Sequence, residues 1–139
     1  MIIKEDKELV LVIMEDNENL IENLTTIKEK LSHIPFMSVI SALGMLKQTK
    51  MGYWNGSEYE QHFIEEPAEL LGISGLITPK TDPFFHFHIT VGKKDGNVAG
   101  GHLLEAHVCN TLELVLIKSN IEVKRVKMGN LKYLRLKEV

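Results

Sequence analysis

Only one stretch of this chain has helical periodicity, and almost everything after it reads at period two. Leu20, Leu24, Ile27 and Leu31 recur at helical spacing with charged residues between them, which predicts an amphipathic helix over residues 18–32. Asp16 and Asn17 offer cap side chains before it, and Pro35 stops it. Ahead of the helix, Glu8–Met14 is a short apolar run with strand character. Beyond Pro35 come Met37–Leu46, with Gly44 inside it, and then Met51–Trp54 and Glu58–Ile64 across Asn55-Gly56, a strong hairpin signal. Ala68–Ile77, Phe84–Val91, Val108–Ile117, Ile121–Val126 and Leu131–Leu136 complete the set. Turn signals stand at Thr78–Pro83, Asp95–Asn97 and Gly129-Asn130. One main helix among many short strands predicts an α+β fold with a mostly antiparallel sheet.

The chain of 139 residues is 44% hydrophobic, enough to bury a core without disulfides or a structural metal. No linker or repeat divides it, so residues 1–139 read as a single domain. Its net charge of -3 excludes the strongly basic signature of a stand-alone duplex-DNA binder. Cys109 is the only cysteine, so no internal disulfide framework exists, as suits a reducing compartment. No secretory signal or membrane-length apolar run is present. The expectation is a soluble, cytoplasmic protein with no membrane partner.

The histidines are grouped. In Phe84–Val91 alternation puts Phe85, Phe87, Ile89 and Val91 on one face, which must be core, and His86, His88 and Thr90 on the other. His86 and His88 then stand about 7 Å apart at their Cα atoms, by the strand rise. Two histidines on an exposed strand are equally consistent with solvated side chains. The turn Lys93–Asn97 returns the chain, however, and brings His102 beside His88, with His107 behind it. Three imidazoles with an open fourth position suit zinc. Gly100-Gly101 reads as a bulge or sharp bend, since it opens no helix as a dinucleotide-binding loop must.

Cys109 reads as a small buried residue. Glu105 and Glu69 are candidate catalytic acid/base groups, with Glu113 weaker than Glu105. Trp54 beside Tyr53 reads as hairpin packing. Lys118–Lys137 carries seven cations against Glu122 alone, a basic edge that could touch phosphates.

Several segments together resemble the plants-and-prokaryotes conserved (PPC) domain. They are Ser41–Gly44, Gly52–Trp54, Glu66–Gly75, His86–Ile89 and Asp95–Leu104. The resemblance runs from about Glu8 to Leu136 and matches the stand-alone prokaryotic type. It implies a compact α+β domain with a strongly bent, mostly antiparallel sheet, assembled as a homotrimer. It also implies a metal, commonly zinc, on His86, His88 and His102. In plants the domain follows AT-hooks, whose Arg-Gly-Arg-Pro core occurs nowhere here. The plant partner-binding segment falls on Glu66–Leu71, where Pro67 replaces its arginine.

Two functions of different class follow. One is a trimeric DNA-related or regulatory binding module with a histidine metal site, contacting DNA weakly through Lys124, Arg125, Lys127, Lys132 and Arg135. The other is a zinc-dependent enzyme acting on a small intracellular substrate, with Glu105 or Glu69 as general base.

Overall fold

The structure is a computed structural model that describes residues 1–138. Its helix, α1 (Leu20–Lys30), starts at Asn19, whose side chain accepts a hydrogen bond from the Glu22 amide at 3.1 Å. The cap thus lies later than Asp16 and Asn17. Asp16 instead accepts from the Asn110 amide at 2.8 Å, and Asn17 takes a left-handed turn conformation at φ 69°. Leu20, Leu24 and Ile27 face inward and are fully buried. Lys28 and Lys30 occupy the last turn, where positive charge suits the helix dipole.

Among the described residues there are nine strands: β1 (Ile2–Glu5), β2 (Leu9–Glu15), β3 (Phe36–Trp54), β4 (Tyr59–Ile64), β5 (Ala68–Ile77), β6 (Phe85–Gly92), β7 (Val98–Ser119), β8 (Val123–Met128) and β9 (Leu131–Leu136). Seven form one sheet in the order β1-β2-β7-β6-β5-β3-β4, and every pair in it is antiparallel. The hairpin β8–β9 stands as a separate two-stranded sheet. The α+β, mostly antiparallel expectation holds, with β1 as an edge strand that the sequence pattern did not announce.

Two strands are far longer than the apolar runs that foretold them. β3 has 19 residues and β7 has 22. A straight 22-residue strand would span roughly 75 Å by the strand rise. A domain of this length has a radius of gyration of only about 14 Å, so both strands must bend. The bending is built where their mutual pairing shifts register, between Val39 and Ser41, Gly44 and Met45, Lys47 and Lys50, and Lys50 and Met51. Gln48 and Asn110 adopt left-handed φ of 49° and 64° in this region. Gly44, at φ 141°, lies so close to β7 that a Cβ would sit 2.1 Å from the Thr111 carbonyl oxygen. Only glycine fits there.

Bending lets the sheet close on itself. β3 pairs with β5, β5 with β6, β6 with β7, and β7 again with β3. Inward-facing side chains from these strands join those of β2 and α1 in one core that includes Val10, Met14, Leu24, Met37, Phe87 and Leu114. On β6, Phe87 and Val91 are fully buried and Ile89 nearly so, as the alternation in Phe84–Val91 requires. Phe87→Ala should lower unfolding free energy by roughly 3–5 kcal/mol, because a rigid core leaves a cavity. Denaturant unfolding of the purified variant checks this; a loss under about 1 kcal/mol would show that Phe87 is not the core anchor described here.

Candidate metal centre

The site is made where β6 hands β7 over to β3. The turn between β6 and β7 is closed by the Lys93 amide donating to the Asn97 carbonyl at 2.8 Å, with Gly96 at φ 85° and Asp95 accepting from the Asn97 amide at 2.8 Å. This turn sets the return register so that His102 stands directly opposite His88. His102 also pairs with Gly52 on β3.

Gly100-Gly101 makes no bulge against β6. The pairing runs in register through it, Thr90 to Gly100 and Ile89 to Gly101. The doublet is there for closeness. A Cβ on Gly100 would lie 3.0 Å from the Ile89 carbonyl oxygen, and one on Gly101 3.0 Å from that of Gly52. Side chains at these positions would push β7 away from both neighbours and take His102 with it.

The three imidazoles of His86, His88 and His102 converge. One ring nitrogen from each lies within 4.8 Å of the other two. His86 Nε2 and His88 Nε2 are 3.1 Å apart, and the ring centroids of the three pairs are 4.7, 5.1 and 5.8 Å apart. A tetrahedral zinc with bonds of about 2.0–2.1 Å needs its ligand nitrogens roughly 3.4 Å apart. The donor set therefore fits such an ion once the widest pair closes by a side-chain adjustment. It is the only cluster of three or more metal-ligating groups among the described residues.

The surroundings favour the neutral form, the one that ligates, at His102 and His86. Burial, and then the neighbouring His86 and His88, push His102 down from 6.5 to about 4. His86 is lowered by burial, then by His88 and by Arg125. Tyr59 was not singled out from the sequence, yet its ring stacks on His102 at 4.6 Å between centroids and its hydroxyl lies 3.4 Å from His102 Nδ1. When Nδ1 donates its proton to that oxygen, Nε2 keeps a free lone pair for a ligand. The signal that could have found it is Gly52, whose missing side chain leaves the notch that Tyr59 fills. An open cavity of about 320 Å³ adjoins the site, lined by Ser38, Val39, Ser74, Gly75, Leu76, His86 and His88.

The other candidates lie elsewhere. Glu105 reaches Lys50 at 3.5 Å. Glu69 is exposed on β5 opposite Gly92, whereas His88 is opposite Ser74, five residues along the strand. His107 pairs with Lys47, further along β7. Cys109 is a half-buried free thiol, and Trp54 packs edge-on against Tyr59 at 5.1 Å.

The chain matches the model of the Plants and Prokaryotes Conserved (PCC) domain over residues 1–120. Among solved structures it is similar to a plant- and prokaryote-conserved protein from Pyrococcus horikoshii (22% identity, 99% of this chain and 97% of that one, TM-score 0.81). It is also similar to a candidate DNA-binding protein from Bacteroides thetaiotaomicron (20%, 96% of each chain, TM-score 0.86). A third similar structure is a metal-containing protein from Archaeoglobus fulgidus (26%, 99% of each chain, TM-score 0.78). No curated protein matches the chain.

The depressed imidazoles make stability depend on pH. An unfolded imidazole takes its proton near 6.5, whereas His102 in the folded chain waits until about 4. Between those values the unfolded state binds more protons, so stability of the metal-free chain falls as pH is lowered through that window. Urea midpoints at pH 7 and 4.5 should show the drop, and His102→Gln should shrink it. An equal drop in that variant would assign the effect to other groups.

Proposed function

The chain belongs to the Plants and Prokaryotes Conserved domain family, and from that premise we propose that it is a trimeric binding module that holds zinc on His86, His88 and His102. The observation that carries this reading is the convergence of three imidazole nitrogens within 4.8 Å. The naming of the Archaeoglobus fulgidus structure as metal-containing points the same way. Bound zinc would supply a Lewis acid with an open fourth position. The chain's own residues present ring nitrogens, orient His102 through Tyr59, and wall the site with β5 and β6.

Regulatory binding is favoured over catalysis because neither Glu105 nor Glu69 stands with the imidazoles. Zinc-dependent catalysis on a small molecule is the second reading, and the open cavity beside His86 and His88 favours it. The whole chain, 1–139, is taken as one such domain. Its residues include no helix long and apolar enough to cross a membrane among those described, and its lone thiol suits the reducing cytoplasm. Contact with DNA, through Lys124, Arg125, Lys127, Lys132 and Arg135, is weak and non-specific, because the net charge of -3 opposes it.

Calorimetric titration with zinc tests the reading. His88→Ala should weaken binding by more than about 100-fold, beyond the cost of losing an outer-shell partner. Its fold should stay intact, since the core face of β6 is untouched. A variant with all three histidines replaced by alanine that binds zinc like the parent would overturn the assignment.

The trimer rests on an apolar outer face. Leu9, Leu11 and Ile117 are 38, 42 and 43% exposed on the paired strands β2 and β7, and Ile40 and Leu43 are 55 and 50% exposed on neighbouring β3. A contiguous apolar patch of this kind marks an interaction surface. Light scattering should give three times the mass of one chain, and Leu11→Glu should lower it. A parent that stays monomeric at micromolar concentration refutes the trimer.

A further inference from the structure

The hairpin β8–β9 lies beyond residues 1–120, the part of the chain that the family model matches. It forms one wall of a cleft of about 420 Å³ whose other wall is the loop after β5. Six cations line this cleft, Lys80, Lys124, Arg125, Lys127, Lys132 and Lys137, against only two carboxylates, Asp82 and Glu122. The surplus is four positive charges in a chain whose net charge is -3, so the rest of the molecule carries -7. Like charges repel, and a concave wall of one sign focuses its field on whatever enters. Such a concentration calls for a counter-charge that the described lining residues do not supply. Lys132 has one in Asp82 at 2.9 Å; the others have only Glu122 among the lining residues.

Arg125 is the second observation. Its Nη1 donates to the Lys132 carbonyl oxygen at 3.4 Å, while Nε and Nη2 are buried with no partner. Buried donors are normally paired, and guanidinium donors above all. Turning the guanidinium toward the cleft that Arg125 lines would give those donors acceptors on a bound anion.

We propose that this cleft is a binding site for a compact polyanion, a small molecule bearing two or more phosphate or carboxylate groups. The volume is at the small end of ligand pockets, which span about 300–1,000 Å³. No aromatic residue lines it to stack a base. A DNA duplex would also spread its phosphates over the acidic remainder of the chain, whereas a compact ligand meets only the cations. The cleft shares no lining residue with the cavity beside the histidines, so its lining stands whether or not they hold metal.

The test titrates the full chain with pyrophosphate and with citrate, before and after EDTA treatment, at about 150 mM salt. One saturable site per chain is expected for at least one of them, retained after the metal is removed, and the tighter ligand identifies the anionic group. Lys124→Gln combined with Lys127→Gln should weaken binding at least tenfold. Glu122→Gln should tighten it a few-fold, a direction that a poorly folded variant cannot mimic. Amide shifts in an NMR titration should cluster at residues 80–82 and 122–137. No saturation by either ligand at about 10 mM, loss of binding with EDTA, or an unchanged affinity in both the lysine and the Glu122 variants would overturn the proposal. So would a short DNA duplex that outcompetes pyrophosphate at the same salt.

Discussion

Strand β7 is hydrogen-bonded along both of its edges by three different strands. β3 follows it from His102 to Ser119 on one side. On the other side β6 takes Val98–His102 and β2 takes Thr111–Ile117. A backbone amide or carbonyl shut off from water has to find a partner, and β7 provides most of those partners for the sheet. The same strand closes the ring through β3, β5 and β6, so the core has no open sheet edge there. His102 sits at the residue where β6 gives way and β3 takes over. The convergence of the three imidazoles is thus a by-product of the closure that holds the molecule together.

What the amino-acid sequence revealed follows from how far period two survives. Phe84–Val91 keeps strict alternation, so its core face and its histidine face were both legible, and the turn at Asp95–Asn97 gave the return of His102. The hairpin at Asn55-Gly56 was legible for the same reason. β3 and β7 were seen only in pieces, because each bulge flips the alternation and looks like a strand end. Gly44 appeared as an ordinary glycine inside an apolar run; only its close approach to the Thr111 carbonyl shows why no other residue fits. The helix was placed correctly but its cap was not, since Asp16, Asn17 and Asn19 all carry side chains that could cap and only tertiary pairing of Asp16 with Asn110 decides. Tyr59 acts through a contact with His102 made across strands distant in sequence, which no local spacing encodes.

The molecule separates two kinds of charge chemistry. In the histidine cluster, burial and neighbouring imidazoles disfavour the protons that would block the lone pairs of His86 and His102. The cleft under β8–β9 works by the opposite means, gathering cationic side chains on one concave wall. Arg125 belongs to the second group, yet its charge is among those that lower His86. The two regions therefore share an electrostatic boundary, and neutralising the guanidinium's field would ease protonation of that imidazole.

The pairing of β2 with β7 has a cost in time. Leu9–Glu15 must wait for Thr111–Ile117, about a hundred residues later in synthesis. β3 likewise waits for β7 along one whole edge. Until the last third of the chain leaves the ribosome, β2 and β3 present unpaired edges with apolar side chains, the condition under which nascent chains associate wrongly. Such long-range pairing also places the protein among slow folders, since loop closure must be met before the contacts reward it.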